Sequence, residues 1–247
     1  MKIEVINLYK KFGQHQVLNG VNLTIRDGET MVIVGRSGCG KSVLIKHIIG
    51  LLQPDQGQVL VDGQEISQGS GKELSEIRLR FGMLFQGAAL FDSMTVGENV
   101  AFPLRQHTAI WEEQIQARVR ECLRLVGLAG IEHLKPAELS GGMRKRVGLA
   151  RALAMQPRVI LYDEPTTGVD PVMADAINRL IISLHDRLKV TGVVVTHDMV
   201  SAYKVSDRIA MLHEGKIEQV GTVEEIRSSQ NPIVRQFILG ISENGGG

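Results

Sequence analysis

Gly35-Arg36-Ser37-Gly38-Cys39-Gly40-Lys41-Ser42 sets glycines, a lysine and a hydroxyl in an order that suits phosphate groups. Glycines let backbone N–H groups curl around phosphate oxygens, and the start of a following helix adds partial positive charge. Lys41 has the reach for the outer phosphates of a nucleotide, and the Ser42 hydroxyl is of the kind that holds Mg2+. The fixed positions of this P-loop pattern recur by chance in about one chain in a hundred of this length. A strand-like run before it and a helix-like run after it lower those odds.

Val159-Ile160-Leu161-Tyr162-Asp163-Glu164 supplies the complement, an apolar strand that ends in two carboxylates. Asp163 is placed for the metal, through water, and Glu164 to polarise an attacking water. Alone, two acids ending a strand read as a solvated turn; behind a phosphate loop the metal-and-base reading prevails. Leu139-Ser140-Gly141-Gly142-Met143 then opens a helix that carries Arg144, Lys145, Arg146 and Arg151. Ser140 and the exposed N–H groups of that helix start form a second candidate anion site. Cations in a first turn oppose the helix dipole, which a docked anion would offset; on its own the segment reads as a capped surface helix.

These residues need elements to hold them. Ile3, Val5 and the run Val17 to Ile25 read as strands, with Asn19-Gly20 and Asp27-Gly28 as turns. Thr30 to Val34 is a β-rich run that enters the glycine loop, and SVLIKHIIGLL after it reads as a buried helix stopped by Gly50 and Pro54. From Thr108 to Val126 apolar residues including Trp111, Ile115, Val119 and Cys122 recur at steps of three and four, which predicts an amphipathic helix capped by Thr108 and stopped by Gly127. Another helix follows Gly142, then strands at Val159–Tyr162 and Val193–Thr196 flank a helix from about Asp175 to Leu188. Alternating strands and helices predict an α/β fold with a mostly parallel sheet, interrupted by a helical insertion from about Gly87 to Pro157. Beyond Asn231 a short helix is expected, and ENGGG reads as a disordered tail.

Composition narrows the classes of function. The chain has 247 residues, 43% hydrophobic and 22% charged, enough for a full core. A net charge of +1 and 4% aromatic content leave neither a basic stripe nor a stacking surface, so no nucleic-acid partner is expected. Cys39 and Cys122 lie far apart and outside any metal-ligand spacing. MKIEVINLYKKF lacks a signal-peptide core, and no run reaches the ~18 apolar residues of a membrane span. If the protein serves a membrane, another chain must cross it.

With its motifs in this order, the sequence resembles the nucleotide-binding domains of ABC transporters from Ile3 to about Ile226. The resemblance implies a RecA-like P-loop NTPase fold with an N-terminal antiparallel β subdomain, hydrolysing ATP with Mg2+. It implies that residues 35–42 bind ATP, that Phe12 stacks on adenine, and that Ser140, Gly141 and Gly142 contact the γ-phosphate held by the other subunit of a head-to-tail homodimer. Gln86 corresponds to the glutamine that senses Mg2+ and couples to the permease, so Ser42, Gln86 and Asp163 are the expected metal contacts. Asp170, in Gly168-Val169-Asp170, corresponds to the loop that crosses the dimer interface. His197 looks like the switch histidine on the γ-phosphate, which with Glu164 and Gln86 completes the catalytic set. Met143 departs from the family, which usually has Gln there. The implied division is an ATP-binding core at 1–86 and 158–228, a helical signature subdomain at 87–157 and a tail at 229–247.

The stretches MLFQGAALFDSMTVGENVAFPLRQHT, LSGGMRKR and VRQFILGIS further resemble the ATPases of maintenance-of-lipid-asymmetry (Mla) and related MCE-protein systems. That resemblance implies phospholipid as the cargo of a complex with transmembrane permease subunits, a periplasmic MCE protein and a small STAS-domain partner. The chain would then lie peripherally on the cytoplasmic face of the inner membrane. Ala88, Ala89, Leu90, Phe91 and Met94 would form an apolar groove for the permease. A small-solute importer, such as one for amino acids, shares every catalytic motif and is the alternative. A non-transport ABC ATPase or a P-loop kinase fits less well: there is one cassette, no long coiled coil, and a kinase has no need of LSGG.

Overall fold

The computed structural model describes residues 1–69 and 71–241, so the ENGGG tail lies outside the described residues. The chain begins with β1 (Ile3–Phe12), β2 (His15–Ile25), β3 (Thr30–Val34), α1 (Lys41–Ile48), β4 (Gln56–Val61) and β5 (Gln64–Glu65). It continues through α2 (Gly71–Arg78), β6 (Phe81–Leu84), α3 (Val96–His107), α4 (Glu112–Leu125), α5 (Gly141–Leu153), β7 (Val159–Asp163) and α6 (Pro171–Leu188). It closes with β8 (Thr191–Thr196), α7 (Met199–Val205), β9 (Arg208–His213), β10 (Lys216–Gly221), α8 (Val223–Arg227) and α9 (Pro232–Ile238). Two compact units result, one from Met1 to Ser75 together with the chain from Thr191 onward, the other from Glu76 to Val190.

The first unit holds an antiparallel sheet in the order β2-β1-β4-β5. In β2 the buried Val21, Leu23 and Ile25 alternate with Asn22 and Thr24, the period-two pattern of a sheet with one covered face. The other strands of this unit differ in kind. All five residues of β3 are buried, and β3 pairs in parallel with both β8 and β9, while β10 returns antiparallel to β9. Continuous burial of Met31, Val32, Ile33 and Val34 marks a strand covered on both faces, each such side chain contributing ~1.5–3 kcal/mol. Register pairs Val34 with Thr196 and with Met211. The glycine loop and His197 therefore leave the sheet at one carboxyl edge, where ligands of open α/β sheets bind.

In the second unit β6 and β7 are parallel, and the register ends at Leu84 opposite Tyr162. Two residues on, Gln86 and Glu164 thus leave the pair side by side. Helices α3, α4 and α5 fill the rest of the segment between these strands. Helix α3 starts at a capping box: Thr95 Oγ1 accepts from Glu98 N–H, and Glu98 Oε2 accepts from Thr95 N–H. Helix α4 buries Ile115, Val119, Cys122 and Leu123 as expected, but it starts at Glu112, and Thr108 is instead the C-cap of α3. Trp111 precedes the helix and is 78% exposed, so it is not part of the apolar face. Gly127 does stop α4, at φ +72°, with its N–H on the Arg124 carbonyl and that of Leu128 on the Leu123 carbonyl, a Schellman closure.

Candidate functional site

In the first unit the glycine loop is shaped by what glycine alone permits. Gly38 and Gly40 take φ of +79° and +105°, and a Cβ on Gly35 would lie 2.3 Å from the Leu212 carbonyl oxygen. Gly40 caps α1 with no side-chain hydrogen bond, and the first turn has no acid. A helix start left without either is suited to an anionic ligand. Lys41 is only 5% exposed, and its Nζ donates to the carbonyl oxygens of Gly35 at 2.9 Å and Arg36 at 3.0 Å. The ammonium is thereby held inside the curl of the loop. A cavity of about 370 Å3 opens beside it, lined by His15, Val17, Arg36, Ser37, Cys39, His213 and Glu214 among others. Phe12 stands half-exposed at the end of β1, with Lys10 Nζ 5.7 Å from its ring centre. His197 is exposed between Thr196 and the N-cap of α7, Asp198.

The second unit gathers the carboxylates and the segments around them. Asp163 and Glu164 are each 7% exposed. Glu164 has a left-handed backbone at φ +48°, and Thr167 Oγ1 donates to its Oε2 at 3.0 Å. Gln86 lies exposed in the turn after β6. The Asp163 carboxylate and the Gln86 amide oxygen are hard oxygen donors, the kind Mg2+ takes. Ser140 is exposed and caps α5, its Oγ accepting from Met143 N–H at 3.2 Å. Asp170 is likewise the N-cap of α6, accepting from the N–H groups of Val172 and Met173, both at 3.0 Å.

The ABC transporter family profile matches residues 18–167, which takes in the glycine loop, Gln86, the Ser140 segment and both carboxylates. The chain belongs to the ABC transporter family. As an ABC cassette it binds and hydrolyses ATP. It is 47% identical over 240 residues to the probable ribonucleotide transport ATP-binding protein mkl of Mycobacterium tuberculosis, covering 97% of this chain and 67% of that protein. It is 43% identical over 241 residues to the intermembrane phospholipid transport system ATP-binding protein MlaF of Haemophilus influenzae, covering 98% of this chain and 91% of that one. Among solved structures, the dimeric post-hydrolysis state of the ATP-binding cassette MJ0796 bound to ADP and Pi superposes with a TM-score of 0.82 at 35% identity, covering 90% of this chain and 98% of that chain. The P-loop NTPase architecture expected from the sequence is thus that of the ABC cassette.

One expectation about this cassette needs correction, and three cations of α5 bond main-chain carbonyls. Arg144 donates to the Leu139 carbonyl at 2.7 Å, and Lys145 Nζ donates to the carbonyls of Gln86 at 3.0 Å and Glu164 at 3.2 Å. Arg151, in the last turn, donates to the carbonyls of Ala89 at 2.7 Å and Ala88 at 2.8 Å. The correction concerns the apolar groove: Ala88 does not line it, being 1% exposed and lying against Gly148, whereas Phe91 is 41% exposed. Ala88 and Ala89 both have left-handed backbones, at φ +63° and +47°.

The sequence marks Lys145 and Arg151 only as cations of α5, without their carbonyl partners, and does not single out Asn99. Asn99 is fully buried and bonds Phe91 N–H and the carbonyls of Phe91, Met94 and Thr95, fixing the loop after β6. Burial depresses the Lys145 pKa, while the nearby Glu164 and Asp163 carboxylates oppose that shift. One signal was available: Lys145 falls with Gly142, Leu149 and Leu153 at the spacing of the buried face of α5.

Proposed function

We propose that this ABC ATPase works as a head-to-tail homodimer with Mg2+, energising phospholipid movement through separate transmembrane permease subunits of the Mla/MCE type. Lys41 and the first N–H groups of α1 hold the phosphates, and Phe12 holds the base. Glu164 polarises the attacking water, and His197 contacts the γ-phosphate. Ser42, Gln86 and Asp163 hold Mg2+, which neutralises charge on the phosphate oxygens. Ser140, Gly141 and Gly142 complete the partner copy's site, with Asp170 at the interface. Residues 1–86 and 158–228 act as the ATP-binding core, 87–157 as the signature subdomain and 229–247 as a tail. No helix among the described residues is long and apolar enough to cross a membrane, which fits a peripheral place on the cytoplasmic face of the inner membrane.

One observation carries the choice of cargo. The loop after Gln86, with Phe91 exposed and Asn99 and Arg151 fixing its backbone, resembles in sequence the matching stretch of Mla-type ATPases, and in this reading it meets the permease. MlaF is named for phospholipid transport, and another relative, 43% identical over 255 residues, is trigalactosyldiacylglycerol 3 of Arabidopsis thaliana. The small-solute reading rests on relatives of similar identity named for ribonucleotide and for sulfate/thiosulfate transport.

Purification of the chain from its native membrane, with mass spectrometry of proteins and lipids, separates the two. An MCE protein, its permease, a STAS-domain protein and bound phospholipid are the expected recovery. A solute permease with a soluble binding protein would keep the ATPase and overturn the cargo.

A further inference from the structure

We infer that Lys145 is a positioning residue for hydrolysis, clasping the carboxyl ends of β6 and β7 so that Glu164 is held in register with Gln86. This rests on the proposed roles of Glu164 as base and Gln86 as coupling glutamine. Ladder pairing of the two strands stops at Leu84 and Tyr162, before either functional residue is reached. Beyond that point the Lys145 ammonium takes over, with Nζ 3.0 Å from the Gln86 carbonyl oxygen and 3.2 Å from that of Glu164. Lys145 is 7% exposed, so its charge is committed to this junction and not to solvent.

Position matters here because Glu164 sits at φ +48°, a backbone that a residue with a side chain keeps only under restraint. Restraints on it include Thr167, through Oγ1 and N–H, and Lys145. Lys145 also springs from the helix that Ser140 caps. A movement of the loop at Gln86, or of the signature helix, thus reaches the backbone of the base through one side chain. Misplacement of a catalytic group by about 1 Å costs up to about a hundredfold in rate.

The test uses the full chain and compares Lys145→Met, of similar length but without donors, with Lys145→Arg. For Lys145→Met, kcat is expected to fall by about tenfold or more while equilibrium ATP affinity stays within about threefold of wild type. Lys145→Arg, which keeps N–H donors, is expected to restore kcat to within about threefold of wild type. Unchanged kcat in Lys145→Met would overturn the inference. So would equal loss of kcat, ATP affinity and thermal stability in both variants, the mark of a merely structural residue. Glu164→Gln run alongside separates the levels. If it retains turnover, the assignment of the base fails, and with it this role. If it is inactive and Lys145→Met is unimpaired, only the role of Lys145 fails.

Discussion

Cys39 and Cys122 are the same residue type in opposite settings. Cys122 is fully buried in α4, and burial pushes its thiol pKa up to about 11, so at pH 8 it is a neutral, shielded thiol. Cys39 is partly exposed in the glycine loop and lines the cavity there, with Arg36 and Ser37. Maleimide at pH 8 is expected to add one equivalent to the folded chain, at Cys39, and a second only after denaturation; intact-mass analysis reads both. Saturating ATP should slow the first addition, and the labelled chain should lose ATP binding. Equal labelling with and without ATP would remove Cys39 from the nucleotide loop. The glycine loop was legible in the sequence because its backbone shapes restrict residue type, as at Gly38, Gly40 and Gly35. The role of Lys145 was not, because its partners are main-chain oxygens of Gln86 and Glu164. A carbonyl belongs to every residue, so nothing in the letters at 86 or 164 announces a lysine bound there.

Among the elements, β3, β7 and β8 were readable because each is an apolar run buried on both faces. The start of α4 was not. Thr108 has the chemistry of an N-cap, yet its Oγ1 donates backward to the Leu104 carbonyl at 2.7 Å, closing α3. Thr95 and Glu98 do carry a start signal for α3, but Gly97 and Pro103 weaken the helical pattern that would have extended it. Two substitutions separate the parts of this region. Asn99→Ala removes a buried side chain bonded to four main-chain groups and is expected to destabilise by about 2–4 kcal/mol. Trp111→Ala, at a residue 78% exposed, is expected to change stability by less than about 0.5 kcal/mol. Urea denaturation measures both; equal losses would mean that Trp111 packs into α4 after all.

For the whole molecule, the proposed dimer brings the Ser140 segment of one copy to the glycine loop of the other. Blocking hydrolysis should therefore stabilise association. Glu164→Gln is expected to bind ATP with near wild-type affinity, to lose turnover by about a hundredfold or more, and to elute as a dimer only with ATP present. A monomer under saturating ATP would argue against the composite site. The two units of the fold were only partly legible. Alternation of strands and helices gave the sheet and its insertion, but the chain returns to the first unit at Thr191, by a strand whose partner β3 lies far upstream. Pairing at that separation leaves no local mark in sequence.

The adjacent left-handed residues Ala88 and Ala89 bear on how such a cassette can change partners over time. Their backbone shape, gripped by Arg151, strongly disfavours β-branched and bulky side chains at both positions. In the proposed complex, substitutions that alter which permease is met would thereby fall on Leu90, Phe91 and Met94, presented by a bend that Ala88 and Ala89 fix.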